Sequence, residues 1–271
     1  MESLIRGNFR RSRELEVRRA INRALKYGGF SVYYQPIYSI KEERFESAEA
    51  LIRLYDKKLG HISPEEFIPI AEKSGAILQI GLYVFDEVCR FIRKQNLQTY
   101  GIDYVEINLS VVQCMQSELS KQLVRIMKYY QVRSEQINLE ITESAAVEEP
   151  ERLKENMRIL CEEGIQFSLD DYGSGYSNMN AVVSLPLSYV KLDRSIIWSA
   201  FENRRAYIAM TSSIEMFKKI NLKIIAEGIE TLEQSRRLSE LGCDYLQGYY
   251  YSKPLPEREF LQYLMKMNAV A

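Results

Sequence analysis

The chain has 271 residues, 46% hydrophobic and 27% charged, with 36 basic and 37 acidic residues and a formal net charge of −1. So balanced a chain gives no electrostatic basis for gripping long nucleic acid, although a small nucleotide needs only a local site. The four cysteines, Cys89, Cys114, Cys161 and Cys243, have neither metal-ligand nor redox spacing, and no apolar run is long enough to span a membrane; the expectation is a reduced, cytoplasmic chain, unless a longer parent is membrane-tethered.

The leader, residues 1–28, is Arg-rich and helical in pattern, with Leu15, Ala20, Ile21 and Leu25 as candidates for a packed face. It reads either as a helix that docks on the barrel or as the signalling linker of an upstream domain. Residues 29–271 read as one domain, since no Pro/Gly/Ser-rich linker divides them. In them, β-rich runs alternate with helical stretches. The runs are FSVYYQPI (30–37), FESAEALIRL (45–54), YVEINLS (104–110), INLEITES (137–144), QFSLDDYG (166–173), YVKLDRS (189–195), LKIIAEGI (222–229) and YLQGYYYS (245–252). Helices are expected over 64–73, 82–94, 118–130, 150–163, 203–219, 232–241 and 257–267. Ser63, Pro64 and Glu66 have the pattern of a capping box, and Gly164 stands where a helix should close. Eight strands separated mostly by helices predict an α/β fold, a (β/α)8 TIM-like barrel. Only YSIKEER (38–44) joins the first two runs. That is too short for a crossover helix, so the first strand should run antiparallel to the rest.

Barrel sites are built at the C-terminal ends of strands. Those ends carry Glu49, Asn108, Glu140 with Glu143, Asp170-Asp171, Lys191 with Asp193, Glu227 with Glu230, and Gln247. Any one of these could be a solvated surface group. Converging on one mouth, the carboxylates would repel and resist burial, and Lys191 is the single lysine among them. A divalent cation removes the conflict. Oxygen ligands and a single histidine, His61, outside any strand end, favour Mg²⁺ or Mn²⁺, with Ca²⁺ able to bind, over zinc. They also leave little for a Ser-His-Asp mechanism. Neighbours in a strand face opposite ways, so for Asp170 and Asp171 to reach one site the strand must end there. Adjacent carboxylates at a turn suit two metals and in-line displacement at phosphorus. Lys191 can stabilise hydroxide or phosphate charge without being a ligand.

These residues fall in motifs that resemble the EAL domain family of cyclic di-GMP phosphodiesterases. Glu49-Ala50-Leu51 is the name motif, and YYQPI, NLS, LEITES, LDDYGSGYS, KLD, AEGIE and QGYYYSKPLP stand around it in order. The resemblance implies hydrolysis of cyclic di-GMP to linear pGpG with two Mg²⁺ or Mn²⁺ ions, Ca²⁺ binding but inhibiting. It implies Glu49, Asn108, Glu140 and Asp170 as ligands of one metal, and Asp170, Asp171 and Glu227 as ligands of the other. Lys191 would contact the attacking water and Gln247 would help position it; with Glu49 and Glu227 they form the catalytic set. Gln35, Leu51, Arg53 and Asp193 would meet substrate, Gln35 at guanine and Arg53 at phosphate. Glu143 would hold the loop after Asp171. A homodimer and an upstream sensor or cyclase domain are further expectations. Tyr172, Ser174, Leu54 and the YSNMN run depart from the usual pattern, the last in a loop tied to regulation. A non-catalytic cyclic di-GMP receptor and a protein-interaction module are the alternatives.

Overall fold

The computed structural model describes residues 2–142, 151–174 and 179–268. Strands β1 (Phe30–Ser39), β2 (Arg44–Asp56), β4 (Tyr104–Asn108), β5 (Ile137–Thr142), β6 (Gln166–Tyr172), β7 (Tyr189–Leu192), β8 (Lys223–Ala226) and β9 (Tyr245–Leu246) close into a barrel. β1 is antiparallel to both β2 and β9, while β2 and β4 through β9 run parallel. The expected reversed first strand is therefore present. Two short strands, β3 (Gly60–Ile62) and β10 (Leu255–Pro256), add antiparallel edges to β2 and β1.

The described helices are α1 (Glu2–Tyr27), α2 (Pro64–Ser74), α3 (Ile77–Gln95), α4 (Val111–Cys114), α5 (Leu119–Tyr130), α6 (Glu151–Glu162), α7 (Met179–Ser184), α8 (Arg194–Glu202), α9 (Arg204–Lys219), α10 (Leu232–Glu240) and α11 (Glu257–Asn268). Among the described residues, no helix is long and apolar enough to cross a membrane. The strand period of two sets the layers. Val105, Ile107, Leu139, Ile141, Phe167, Leu169, Val190 and Ile224 face outward into the core with the helices. The alternate residues face the barrel axis. At its floor Ile37, Tyr104, Tyr189, Ile225 and Tyr245 form a separate buried cluster.

Several local expectations change. α3 begins at Ile77 and runs through Gly81, where an added Cβ would strike the Gln113 amide; the glycine makes room for that side chain rather than breaking the helix. Ser63 starts α2 with Pro64 but makes no side-chain cap. Glu66, its expected partner, instead takes both nitrogens of a fork from Arg13, at 2.7 and 3.1 Å. Gly164 does close α6, with φ +99° and its N–H donated to the Cys161 carbonyl. In α1 the packed face is Val17, Ala20, Ile21 and Ala24, while Leu15 is 54% exposed. The i, i+3, i+4, i+7 spacing of those four is the helical stripe that meets Phe67, Ile70 and Ala71 of α2. Arg13–Glu66 and an Arg23–Asp56 pair at 2.7 Å flank this seam. The strands of the runs at 189–195 and 245–252 are shorter than expected, because α8 opens at Arg194 and the chain turns after Leu246. Cys89, Cys114 and Cys243 are buried thiols, Cys161 half-buried, and none is bridged.

Candidate active site

The strand registers bring the strand-end residues onto one rim. Gln35 lies opposite Glu49 across β1 and β2, Glu49 opposite Glu106 across β2 and β4, Asn108 opposite Glu140, and Thr142 opposite Asp170. Because inward residues recur every second position, Glu106 and Asn108 face the axis together, as do Asn138 and Glu140, and Ser168 and Asp170.

Lys191 is fully buried at the centre. Its Nζ lies 2.7 Å from Glu140, 2.8 Å from Glu227, 3.5 Å from Glu49, 3.6 Å from Asp170 and 3.9 Å from Glu106. Glu49 is held on three sides: it accepts from Asn108 Nδ2 at 2.8 Å, from Gln247 Nε2 at 2.7 Å, and faces Lys191. Gln247 Nε2 also reaches Gln35 Oε1 at 3.2 Å, and Gln35 Nε2 donates to the Ser252 carbonyl at 3.0 Å. An amide chain thus crosses the closing seam of the barrel and fixes Glu49.

Asp170 and Asp171 share the mouth in a different way from the one expected. β6 does not stop between them. Its register with β7 passes from Leu169–Val190 to Tyr172–Leu192, so two residues oppose one, a β-bulge. Asp171 takes φ +60°, a left-handed conformation that short polar side chains tolerate best. Its N–H donates to Asp170 Oδ1 at 2.9 Å. Asp193 caps α8, accepting from the Ser195 N–H at 2.9 Å and from the Ser195 hydroxyl. Glu230 is exposed, and its N–H donates to Gln234. Glu143 lies outside the described residues, as does most of the YSNMN run.

Glu106 is the site residue that the strand-end pattern does not pick out. It stands two residues before Asn108, on the same side of the same strand. A search of strand ends passes over it; the period-two alternation is the signal that finds it.

One ammonium among five largely buried carboxylates leaves negative charge unmatched. Burial, reinforced by Asp170 and Glu49 and opposed by Lys191, pushes Glu227 up to about 8. Burial with the Asp170 charge pushes Asp171 up to about 6. Burial likewise raises Asp170 and Glu106, and Glu140 further still. Burial opposes Glu49 too, but Lys191, Gln247 and Asn108 outweigh it and hold that carboxyl low. Lys191 resists desolvation because Asp170, Glu140, Glu227 and Glu49 raise it well above the ordinary lysine value.

The donor chemistry fits hard cations. All candidate ligands are oxygens, and Glu140 is fully buried between the Lys191 ammonium and the Glu106 carboxyl. Among the described residues no three carboxylates are already closed on a common point; the ammonium of Lys191 holds the centre.

Beside the rim opens a groove of about 500 Å³. Glu49, Leu51, Arg53 and Asn108 line it from the barrel side, and Ile68, Glu72 and Ile80 from α2 and α3. Arg53 stacks over Tyr33 at 5.4 Å and donates to its neighbour's carbonyl, Ile52, which leaves other guanidinium donors for a ligand.

A (β/α) barrel with one reversed strand and an acidic mouth built around a buried lysine is the class that fold and site define. The EAL domain model matches residues 18–254, and the chain belongs to that family. It is 32% identical over 240 residues to the oxygen sensor protein DosP of Escherichia coli (strain K12), covering 89% of this chain and 30% of that protein. It is 30% identical over 254 residues to the bifunctional diguanylate cyclase/cyclic di-GMP phosphodiesterase MucR of Pseudomonas aeruginosa, covering 94% and 37%. A solved structure, PaMucR phosphodiesterase in a c-di-GMP complex, superposes with a TM-score of 0.85 at 30% identity, covering 90% of this chain and 99% of that one. The chain spans about a third of the length of DosP, MucR and the signaling protein YkoW of Bacillus subtilis (strain 168).

Proposed function

We propose that the chain is a phosphodiesterase that hydrolyses cyclic di-GMP to linear pGpG in bacterial second-messenger signalling. The observation that carries this reading is the excess of buried carboxylate around Lys191, opening onto a groove that presents Arg53. It is supported by the similarity to MucR and to its c-di-GMP complex.

In this reading Glu49, Asn108, Glu140, Asp170, Asp171 and Glu227 hold two Mg²⁺ or Mn²⁺ ions. Bound there, the ions supply a water of lowered pKa and charge neutralisation at the phosphate. The water oxygen adds to phosphorus, the P–O3′ bond breaks, and the net proton goes to the departing 3′ oxygen. Lys191 holds positive charge at the attacking water, and Gln247, tied to Glu49, orients that water. Arg53 pairs with a phosphate, and Gln35 and Leu51 meet the base and sugar. Asp193, rigid as a helix cap, keeps one carboxylate face toward the substrate edge. Glu143 steadies the loop after Asp171. Ca²⁺, a larger ion with looser geometry, binds and does not support turnover.

The same reading treats residues 1–28 as a linker helix and 29–271 as the catalytic barrel of a homodimer, joined in a cytoplasmic signalling protein to a sensor or cyclase domain. A product assay with Mg²⁺, Mn²⁺, Ca²⁺ and EDTA in parallel tests the chemistry. The expected result is pGpG with Mg²⁺ and Mn²⁺ alone. Tight cyclic di-GMP binding with no pGpG in any metal would make the chain a receptor instead.

A further inference from the structure

Beneath the rim lies a buried polar layer that the proposed reaction does not use. Glu106 is fully buried. Its Oε1 accepts from Asn138 Nδ2 at 3.0 Å, and the same amide nitrogen lies 2.6 Å from Ser168 Oγ, its other acceptor. Its Oε2 lies 3.9 Å from Lys191 Nζ, and the carboxyl also meets that of Glu140, a hydrogen bond that favours charge on Glu106 and the proton on Glu140. Ordinary barrel interiors fill such a layer with branched aliphatic side chains. An isolated carboxylate at this depth is costly without a partner of opposite charge.

We infer that Glu106 is a positioning residue that holds the Lys191 ammonium from below while the rim carboxylates hold cations. This rests on the phosphodiesterase reading. Lys191 faces five carboxylates, and four of them, Glu49, Glu140, Asp170 and Glu227, belong to the proposed ligand set. When those four turn their charge to two dications, the ammonium loses its attraction to the rim and is repelled by the ions. Glu106 is the fifth carboxylate, on the floor side, outside the ligand set. Asn138, on the neighbouring strand, fixes its other oxygen and keeps Oε2 toward Lys191. Charge and direction, not volume, are what the position requires.

That distinction sets the test. Glu106→Gln keeps shape and loses charge; Glu106→Asp keeps charge and loses a methylene. If Glu106 acts by charge, Glu106→Gln lowers kcat about 10- to 100-fold with KM within about twofold, and Glu106→Asp stays closer to wild type. Calorimetric titration of Mn²⁺ into substrate-free protein should show the same order, with the midpoint of Glu106→Gln raised several-fold. A packing role reverses the order, since the isostere then does least harm. Thermal melts of both metal-free variants establish that each is folded. If Glu106→Gln equals or exceeds Glu106→Asp in kcat and in Mn²⁺ affinity, the inference is overturned. Wild-type protein that yields no pGpG would sink the phosphodiesterase reading alone, and the Mn²⁺ titrations would still decide the role of Glu106.

Discussion

The mouth and the floor of this barrel are built from the same strands, two residues apart, and they obey opposite rules. On the floor Tyr104, Tyr189, Tyr245, Ile37 and Ile225 pack as a closed cluster. Two residues further along β4 and β7, Glu106 and Lys191 are buried as well, but they are ionisable, as are Glu49 and Glu140 on the neighbouring strands. Burial at the floor removes apolar surface from water and stabilises the fold. Burial at the mouth strips solvent from charges and costs stability, offset only in part by one lysine. The lesson is a division within a single closed sheet: the deep layer carries the fold, and the charged layer above it is kept for chemistry.

The strongest break of that contrast is Glu49→Ala. Turnover should fall to background because a proposed metal ligand and the anchor of Asn108 and Gln247 are lost together, and the metal-free melting temperature should fall by about a few degrees, since Glu49 is held low and accepts from both amides. A pGpG assay beside differential scanning calorimetry checks both halves. Lys191→Ala comes next. We expect kcat to fall about 10²- to 10⁴-fold with a smaller change in KM, and the metal-free fold to lose about 3–5 kcal/mol at neutral pH because the carboxylates lose their counter-charge. Equal losses in kcat and in cyclic di-GMP affinity would contradict the assigned role. At the floor, Ile225→Ala should cost about 2–5 kcal/mol in urea denaturation while leaving kcat per folded molecule near wild type.

The smallest expected effect is on pH. Glu227 is raised to about 8 and Asp171 to about 6, and Asp170 and Glu140 are raised as well. A carboxyl whose folded pKa exceeds its unfolded one stabilises the fold fully below the unfolded value, and that contribution fades as pH climbs through the folded value. Metal-free protein should therefore melt several degrees lower at pH 8.5 than at pH 5. Glu49, held low, works the other way only in more acidic solution. Mn²⁺ should flatten the slope, and an unchanged slope would mean that cations do not bind these groups.

Much of this was legible in the residues. The short 38–44 link dictated the antiparallel hairpin, because no crossover helix fits in it. Period-two runs placed each strand, and polar residues at their ends marked the rim. The i, i+3, i+4 stripe of α1 was legible in kind: Ala20, Ile21 and Leu25 pack as expected, but Val17 and Ala24 join them and Leu15 does not, since the angle of docking on α2 selects the face. Ser63 had the letters of a capping box, yet Glu66 found a stronger, charged partner in Arg13.

The sequence by itself determined which side chains stand on which strand, their alternation and the oxygen-rich character of the rim, because covalent spacing and the pleat leave no freedom in those. Only the tertiary structure decided that Lys191 sits at the focus of five carboxylates, that Asp170 and Asp171 share a bulge, and that Glu106 lies beneath them. Those depend on barrel closure, which sets how far each strand is staggered against its neighbour. That stagger is a property of the whole sheet and is written in no single run of residues.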